Sequence, residues 1–186
     1  ALGDNTTADS NTAIGYNSLF YNTTGHSNTA LGKDALKANT TADYNVAIGA
    51  LCLDANSTGG DNTAAGVAAL GKNTTASNNT AFGRAALAEN TTGTRNTGVG
   101  AYALDANTTG DYNTSIGYNS LTANTTADAN TALGYKTLEF NTTGTSNTAV
   151  GAYALDANTT ADNNTAVGYA SLGANTTGSL NTATGL

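Results

Sequence analysis

The sequence predicts an all-β chain, a β-solenoid of 17-residue coils stacked into a rod, and three observations predict it. The first is a period. From Asn11 the chain divides into ten consecutive blocks of 17 residues, with a leading 10 and a trailing 6, and no insertion anywhere in its 186 residues. The second is invariance within that period: Asn at coil position 1, Gly at 5, Leu at 9, Asn at 12 and Thr at 14 recur without exception. The third is composition, since 26 Asn and 36 Thr make up 62 of 186 residues while aromatics are 6%. A globular core would be thin. A repeat of 17 residues is too short for a helix pair or a propeller blade, but fits one coil stacked on the next at the strand spacing of about 4.8 Å. The array comprises a partial coil over 1–10, ten full coils over 11–180 and a partial coil over 181–186.

Taken in order along one coil, positions 1–4 (Asn-Thr-Ala-Ile and its variants) are β-branched and predict a short strand. Gly at 5, from Gly15 to Gly185, ends that strand in a backbone conformation other residues resist. Positions 6–11 carry helix formers, as in KDALKA at 33–38 and RAALAE at 84–89, and predict either a strand or one helical turn per coil. A second short strand is expected near positions 13–15. Aliphatic residues at 4 and Leu at 9 are expected to face inward, the latter as a core column of Leu19, Leu36, Leu53, Leu70, Leu87, Leu104, Leu121, Leu138, Leu155 and Leu172. Position 8 is always small, with Cys52 among its members.

The two Asn columns predict amide ladders, each side chain bonding its counterpart one coil away as in cross-β stacks. One comprises Asn11, Asn28, Asn45, Asn62, Asn79, Asn96, Asn113, Asn130, Asn147 and Asn164. The other comprises Asn22, Asn39, Asn56, Asn73, Asn90, Asn107, Asn124, Asn141, Asn158 and Asn175. Burying so many amides is tolerable only where every one is paired. A weaker period of 51 residues overlies the coils: ALCLDANST at 50–58 returns as AYALDANTT at 101–109 and 152–160.

The pattern NTAxGxxALxxNTTGxxNTAxG resembles the tandem repeats of bacterial and phage tail-fibre-like proteins across the whole chain. Its NTAIG segment is similar, in part, to the head repeats of trimeric autotransporter adhesins, whose coils are shorter. The resemblance implies an extracellular, cell-surface or virion fibre, often trimeric, acting as shaft or adhesin. No segment resembles the self-cleaving chaperone domain that many tail-fibre-like chains carry.

The residue inventory narrows the function. A formal charge of −7 with six Lys and Arg leaves no basic face for nucleic acid. No apolar run approaches the roughly 20 residues of a membrane span, and no start resembles a signal peptide. One Cys and one His build neither a cysteine-rich metal site nor a nucleophile–base pair, so no enzyme, cofactor or metal is expected. His26 is a turn residue and Cys52 a packed thiol. The acids at position 10 (Asp54, Asp105, Asp156) and position 16 (Asp9, Asp43, Asp111, Asp128, Asp162) lack the spacing of calcium-binding β-rolls and are expected to be solvated.

Surface candidates remain. Tyr gathers at position 6 (Tyr16, Tyr118, Tyr135, Tyr169), position 7 (Tyr102, Tyr153) and position 17 (Tyr44, Tyr112). Those at position 6 suit contact with glycans or a second chain, with the Ala of position 3 as an apolar stripe beside them. Every position-12 Asn, with Asn78, Asn113 and Asn163, begins an Asn-x-Ser/Thr glycosylation motif. Position 13 is expected to face outward, making Thr23, Thr40, Thr74, Thr91, Thr108, Thr125, Thr142, Thr159 and Thr176 candidates for O-glycosylation. Ice binding through Thr columns is disfavoured, because no Thr-x-Thr pair recurs from coil to coil: position 2 is paired with a residue other than Thr at position 4 in every full coil. The expected function is a structural, adhesive extracellular fibre shaft that self-associates as a trimer or an end-to-end filament and meets a cell-surface or glycan receptor. The alternative is a surface-recognition solenoid binding glycans or ice. The chain starts at coil position 8 and stops at position 6 without a polar cap, which suits an excerpt of a longer fibre or end-to-end stacking of copies.

Overall fold

A computed structural model describes residues 1–185; the last residue of the partial coil expected over 181–186 lies outside the described residues. The chain is a parallel β-solenoid. Each coil contributes one three-residue strand at positions 2–4: β1 (Thr12–Ile14), β2 (Thr29–Leu31), β3 (Val46–Ile48), β4 (Thr63–Ala65), β5 (Thr80–Phe82), β6 (Thr97–Val99), β7 (Thr114–Ile116), β8 (Thr131–Leu133), β9 (Thr148–Val150), β10 (Thr165–Val167) and β11 (Thr182–Thr184). They form one parallel sheet in sequence order. Register advances by 17 residues at every step, so Thr12 faces Thr29 and Ile14 faces Leu31.

Three residues per coil understate the ladder, because hydrogen bonds join the coils around the whole circuit. The N–H groups of positions 2, 9 and 11 reach the following coil, as in Thr29 to Asn45 (2.8 Å), Leu36 to Cys52 (3.0 Å) and Tyr21 to Lys37 (3.1 Å). Those of positions 5, 7 and 17 reach the preceding coil, as in Gly32 to Ile14 (2.8 Å), Asp34 to Tyr16 (2.8 Å) and Tyr44 to His26 (3.2 Å). The backbone therefore alternates its donors along the axis, as a strand does, while bending around a narrow core.

Positive φ angles make that bending possible. Gly15 at position 5 has φ 130°, and a Cβ there would lie 2.5 Å from the carbonyl oxygen of Gly32 in the next coil. Both demands, the angle and the close approach, select glycine in this column. Positions 7, 9 and 17 are also left-handed, although their residues are not glycine: Asp34 (φ 56°), Leu36 (φ 49°) and Tyr44 (φ 60°) represent one coil. Such angles cost roughly 1–2 kcal/mol per L-residue.

These angles overturn the helical turn considered for positions 6–11. A right-handed helix cannot include φ near +50° at alternate residues, and no helix occurs among the described residues. The segment is a pair of tight turns, closed by Ala35 N–H to Gly32 O (3.4 Å) and Asn39 N–H to Leu36 O (3.2 Å). Helix propensity is overridden because each left-handed residue turns its peptide toward a neighbouring coil. The second strand expected near positions 13–15 is also absent. Consecutive N–H groups there point the same way: Thr23 (2.9 Å) and Thr24 (3.1 Å) both donate to the carbonyl of Thr40. A strand would send them in opposite directions.

The core is a stack of columns. Leu at position 9 is fully buried from Leu19 to Leu155, with Leu2 and Leu172 partly buried at the ends. Opposite it lies position 3, whose Ala side chains from Ala30 to Ala166 are also fully buried. The expectation that position 4 faces inward and position 3 outward is reversed. Successive strand residues point to opposite faces, and the interior between strand and turn admits Ala but nothing larger. Position 3 accordingly carries Ala, Gly98 or Ser115 and no larger residue, while the aliphatics at 4 face outward.

Candidate functional site, the columns and outer faces of the rod

The amide columns hold the interior. At position 12 each Asn Nδ2 donates to the Oδ1 of the Asn one coil before it, as in Asn39 to Asn22 (2.8 Å) and Asn107 to Asn90 (2.8 Å). The same Nδ2 donates to the carbonyl three residues on, as in Asn39 to Ala42 (3.0 Å). At position 1 the link differs: the Oδ1 accepts the backbone N–H of the next coil's Asn, as in Asn28 Oδ1 from Asn45 (2.9 Å). Its Nδ2 reaches the carbonyl fourteen residues on, as in Asn28 to Ala42 (2.8 Å), and at Asn62, Asn113 and Asn147 it also donates to the Oδ1 of the Asn one coil before, as the ladder expects. Position 15 thus receives both amides on one carbonyl. Among the described residues every buried side-chain nitrogen and oxygen has a partner, which is the condition for burying a polar column.

Position 16 has a role the sequence reading missed. Its side chain accepts the backbone N–H of position 16 in the preceding coil: Asp43 from His26 (2.6 Å), Asp111 from Thr94 (2.6 Å), Asp128 from Asp111 (2.7 Å) and Asp162 from Thr145 (2.6 Å). Ser77 and Ser179 do the same for Gly60 and Asp162. The available signal was the preference of this position for short acceptors. His26 sits in that column with Nδ1 2.8 Å from Asp9 Oδ1. Cys52 is fully buried, its thiol pushed up to about 12, chiefly by that burial. The thiol bonds the Ala64 carbonyl at 3.3 Å, and a thiol held protonated is a poor nucleophile.

The Thr expectation is reversed. Position 13 is half-buried, and its hydroxyl donates to the position-13 carbonyl of the next coil: Thr23 to Thr40 (2.9 Å), Thr91 to Thr108 (2.9 Å), and likewise Thr40, Thr74, Thr108, Thr125, Thr142 and Thr159. Thr176 is exposed in the last full coil. The outward rank is position 14, exposed in all eleven coils from Thr7 to Thr177. Of the glycosylation motifs, Asn113 and the position-12 Asn from Asn22 to Asn158 are fully buried, whereas Asn78 and Asn163 are exposed.

Two outer surfaces stand out. One is the solvent face of the sheet, where position 4 forms an exposed apolar rank including Ile14 (59% exposed), Leu31, Ile48, Phe82, Ile116 (37%), Leu133 and Val167. The other is a tyrosine ridge. Tyr118 and Tyr135 meet directly, Tyr153 at position 7 links Tyr135 to Tyr169, and Tyr102 at position 7 extends the run beyond Tyr118. Centroids run Tyr102–Tyr118 (6.2 Å), Tyr118–Tyr135 (5.7 Å), Tyr135–Tyr153 (5.4 Å) and Tyr153–Tyr169 (5.8 Å). All are edge-to-face except the stacked Tyr118–Tyr135 pair. Tyr16, 71% exposed, stands outside this run.

The 51-residue period places Asp54, Asp105 and Asp156 at equivalent points beside that ridge and its apolar continuation. Burial raises each carboxyl above its usual range; at Asp105 a hydrogen bond from Thr122 Oγ1 (2.6 Å) opposes the shift. A groove of about 380 Å³ lies between Tyr102, Asp105, Tyr118, Asn119 and Thr122. Its counterpart one 51-residue period earlier holds about 330 Å³ and is lined by Leu51, Asp54, Ala68 and Gly71, among others. Among the described residues no three His, Cys, Asp or Glu side chains converge on one point, and no helix is long and apolar enough to cross a membrane. Comparison with known proteins finds no matching family model, curated protein or solved structure.

Proposed function

We propose that this solenoid is a structural element of an extracellular fibre, a shaft that sets distance and presents repeated surfaces rather than performing catalysis. The observation carrying this reading is that coil after coil repeats the same buried amide and leucine columns while the outer sheet face repeats an exposed aliphatic rank. Regular columns give a rod with one rigid long axis, and eleven coils at about 4.8 Å extend it to roughly 50 Å. The resemblance to tail-fibre-like repeats supports the same placement on a cell surface or virion.

A shaft of this kind gains by association with further copies. The outer face of the sheet is about 50 Å long and three residues, or about 10 Å, wide. Pairing two such faces removes on the order of 1,000 Å² from water, near the lower bound for a specific interface. The rank of Ile, Leu, Phe and Val is suited to that contact, and aliphatic rows this long are uncommon on a monomer's surface. Sedimentation at micromolar concentration should show a dimer or trimer. Replacing Ile48 and Ile116 with Lys, both solvent-facing, should return the chain to a folded monomer. A wild-type chain that sediments as a monomer would sink lateral association, and electron microscopy of the native particle showing no projecting rods would sink the fibre role.

A further inference from the structure

We propose that the tyrosine ridge from Tyr102 to Tyr169, flanked by Asp105 and Asp156, is a binding track for an uncharged glycan chain of about four pyranose rings. It needs neither the fibre role nor lateral association, because it lies past the glycine that ends each strand.

Three features carry the proposal. The first is ring geometry. In an edge-to-face pair one ring spends only its rim on the contact, so three of its junctions leave aromatic faces open. The negative face of an aromatic ring attracts the weakly positive C–H face of a pyranose, as it attracts other partial positive charge. Successive coils place ring centroids 5.4–6.2 Å apart, close to the advance of one sugar ring along an extended glycan. Tyr118, Tyr135 and Tyr169 remain about half exposed within the ridge.

The second feature is polar. Asp105, which lines the groove, accepts from Thr122 Oγ1 through Oδ1. Asn119, half-buried in the same groove, makes no side-chain hydrogen bond among the described residues. An apolar platform beside a few fixed polar groups is the usual make-up of a small-ligand site. Asp156 repeats the carboxylate 51 residues on, although Ala170 and Gly173 stand there in place of Asn119 and Thr122.

The third feature is charge, which selects among sugars. Asp105, Asp156 and Glu139 border the ridge, and the cation of Arg84 lies over the Tyr102 ring at its end, 5.6 Å from the centroid. Lys136 is engaged by Glu139 at 3.0 Å and lies over the Tyr135 ring. In a chain of net charge −7, sialylated or uronic glycans meet repulsion whereas neutral hexoses and N-acetylhexosamines do not.

The test is a titration of the full chain by tyrosine fluorescence, which no tryptophan obscures, alongside an array of neutral and anionic glycans. Chitotetraose, maltotetraose and mannotetraose are the neutral probes and sialyllactose the anionic one. Saturable binding of a neutral probe is expected, with at least a tenfold loss in the Tyr118→Ala/Tyr135→Ala double variant. Tyr16→Ala should bind as wild type, and Tyr118→Phe, which keeps the ring, should stay within about threefold. Asp105→Asn should narrow the preference for neutral over anionic probes. Three results overturn the proposal: no saturable binding of any neutral glycan, equal binding by the double variant, or preference for sialyllactose. Conversion of an oligomer to monomer by the double variant would show that the ridge is covered by a second copy, which also overturns it.

Discussion

At the scale of single residues, the two asparagines of each coil are not interchangeable. Asn90 donates from Nδ2 to Asn73 Oδ1 (3.0 Å) and to the Gly93 carbonyl (2.9 Å), and its Oδ1 accepts from Asn107 (2.8 Å). An ionised carboxylate keeps the acceptor and loses both donors. Asn90→Asp should therefore destabilise the rod at pH 7 by about 3–5 kcal/mol, the range for an uncompensated buried charge. Asn90→Ala, which leaves its neighbours unpaired without adding charge, should cost about 1–3 kcal/mol. The two variants part company with pH. Burial raises the folded-state pKa of a carboxyl introduced here above its unfolded value. The Asp deficit is then full above the raised pKa and shrinks as pH falls through it, since the protonated acid recovers one donor. The Ala deficit should not move. Urea unfolding at pH 7 and pH 4 separates them, and a pH-independent Asp variant would refute the amide account.

At the scale of elements, a coil is one short strand and a run of left-handed turns, and the turns suggest an unusual substitution. Ala129 at position 17 is exposed with φ 58°, and Ala85 at position 7 has φ 55°. Alanine to glycine normally weakens a protein by enlarging the unfolded ensemble. Here the relief of a left-handed angle exceeds that loss. Ala129→Gly should raise stability by about 0.5–1 kcal/mol, while Ala30→Gly in β2, where φ is not positive, should lower it by about 1 kcal/mol or more. A lower urea midpoint for Ala129→Gly would show that the turn carries no such strain. The sequence made the leucine and amide columns legible because a stacked position admits no exceptions. It hid the sense of the strand, since large aliphatics ordinarily point inward and only the uniform smallness of position 3 revealed the narrow side. It also hid the turns: KDALKA and RAALAE are helical by propensity, and bonds to neighbouring coils decide otherwise. The tyrosine ridge was half legible. The gathering of Tyr at positions 6 and 7 was evident, but which rings touch was not, because the left-handed backbone at Tyr102 and Tyr153 decides that they lie alongside the position-6 rings.

At the scale of the whole molecule, stability is a sum of coil increments and coil-to-coil contacts, because each coil hydrogen-bonds only to its neighbours. Length is then adjustable in units of one coil and in no other unit. Deleting residues 79–95 joins position 17 of one coil to position 1 of the next and leaves every column aligned. That chain should fold, unfold in one cooperative transition, and measure about 4.8 Å shorter by small-angle scattering. Deleting Ala88 alone removes far less material but makes a 16-residue coil. Within that coil the span from Leu87 to Asn90 is shortened, so the leucine and amide columns cannot both stay in register. The break should cost more than the loss of the entire coil and should uncouple the halves, giving two unfolding transitions. If the block deletion proves the more damaging of the two, the additive picture fails. Coil register would then not be what holds this rod together.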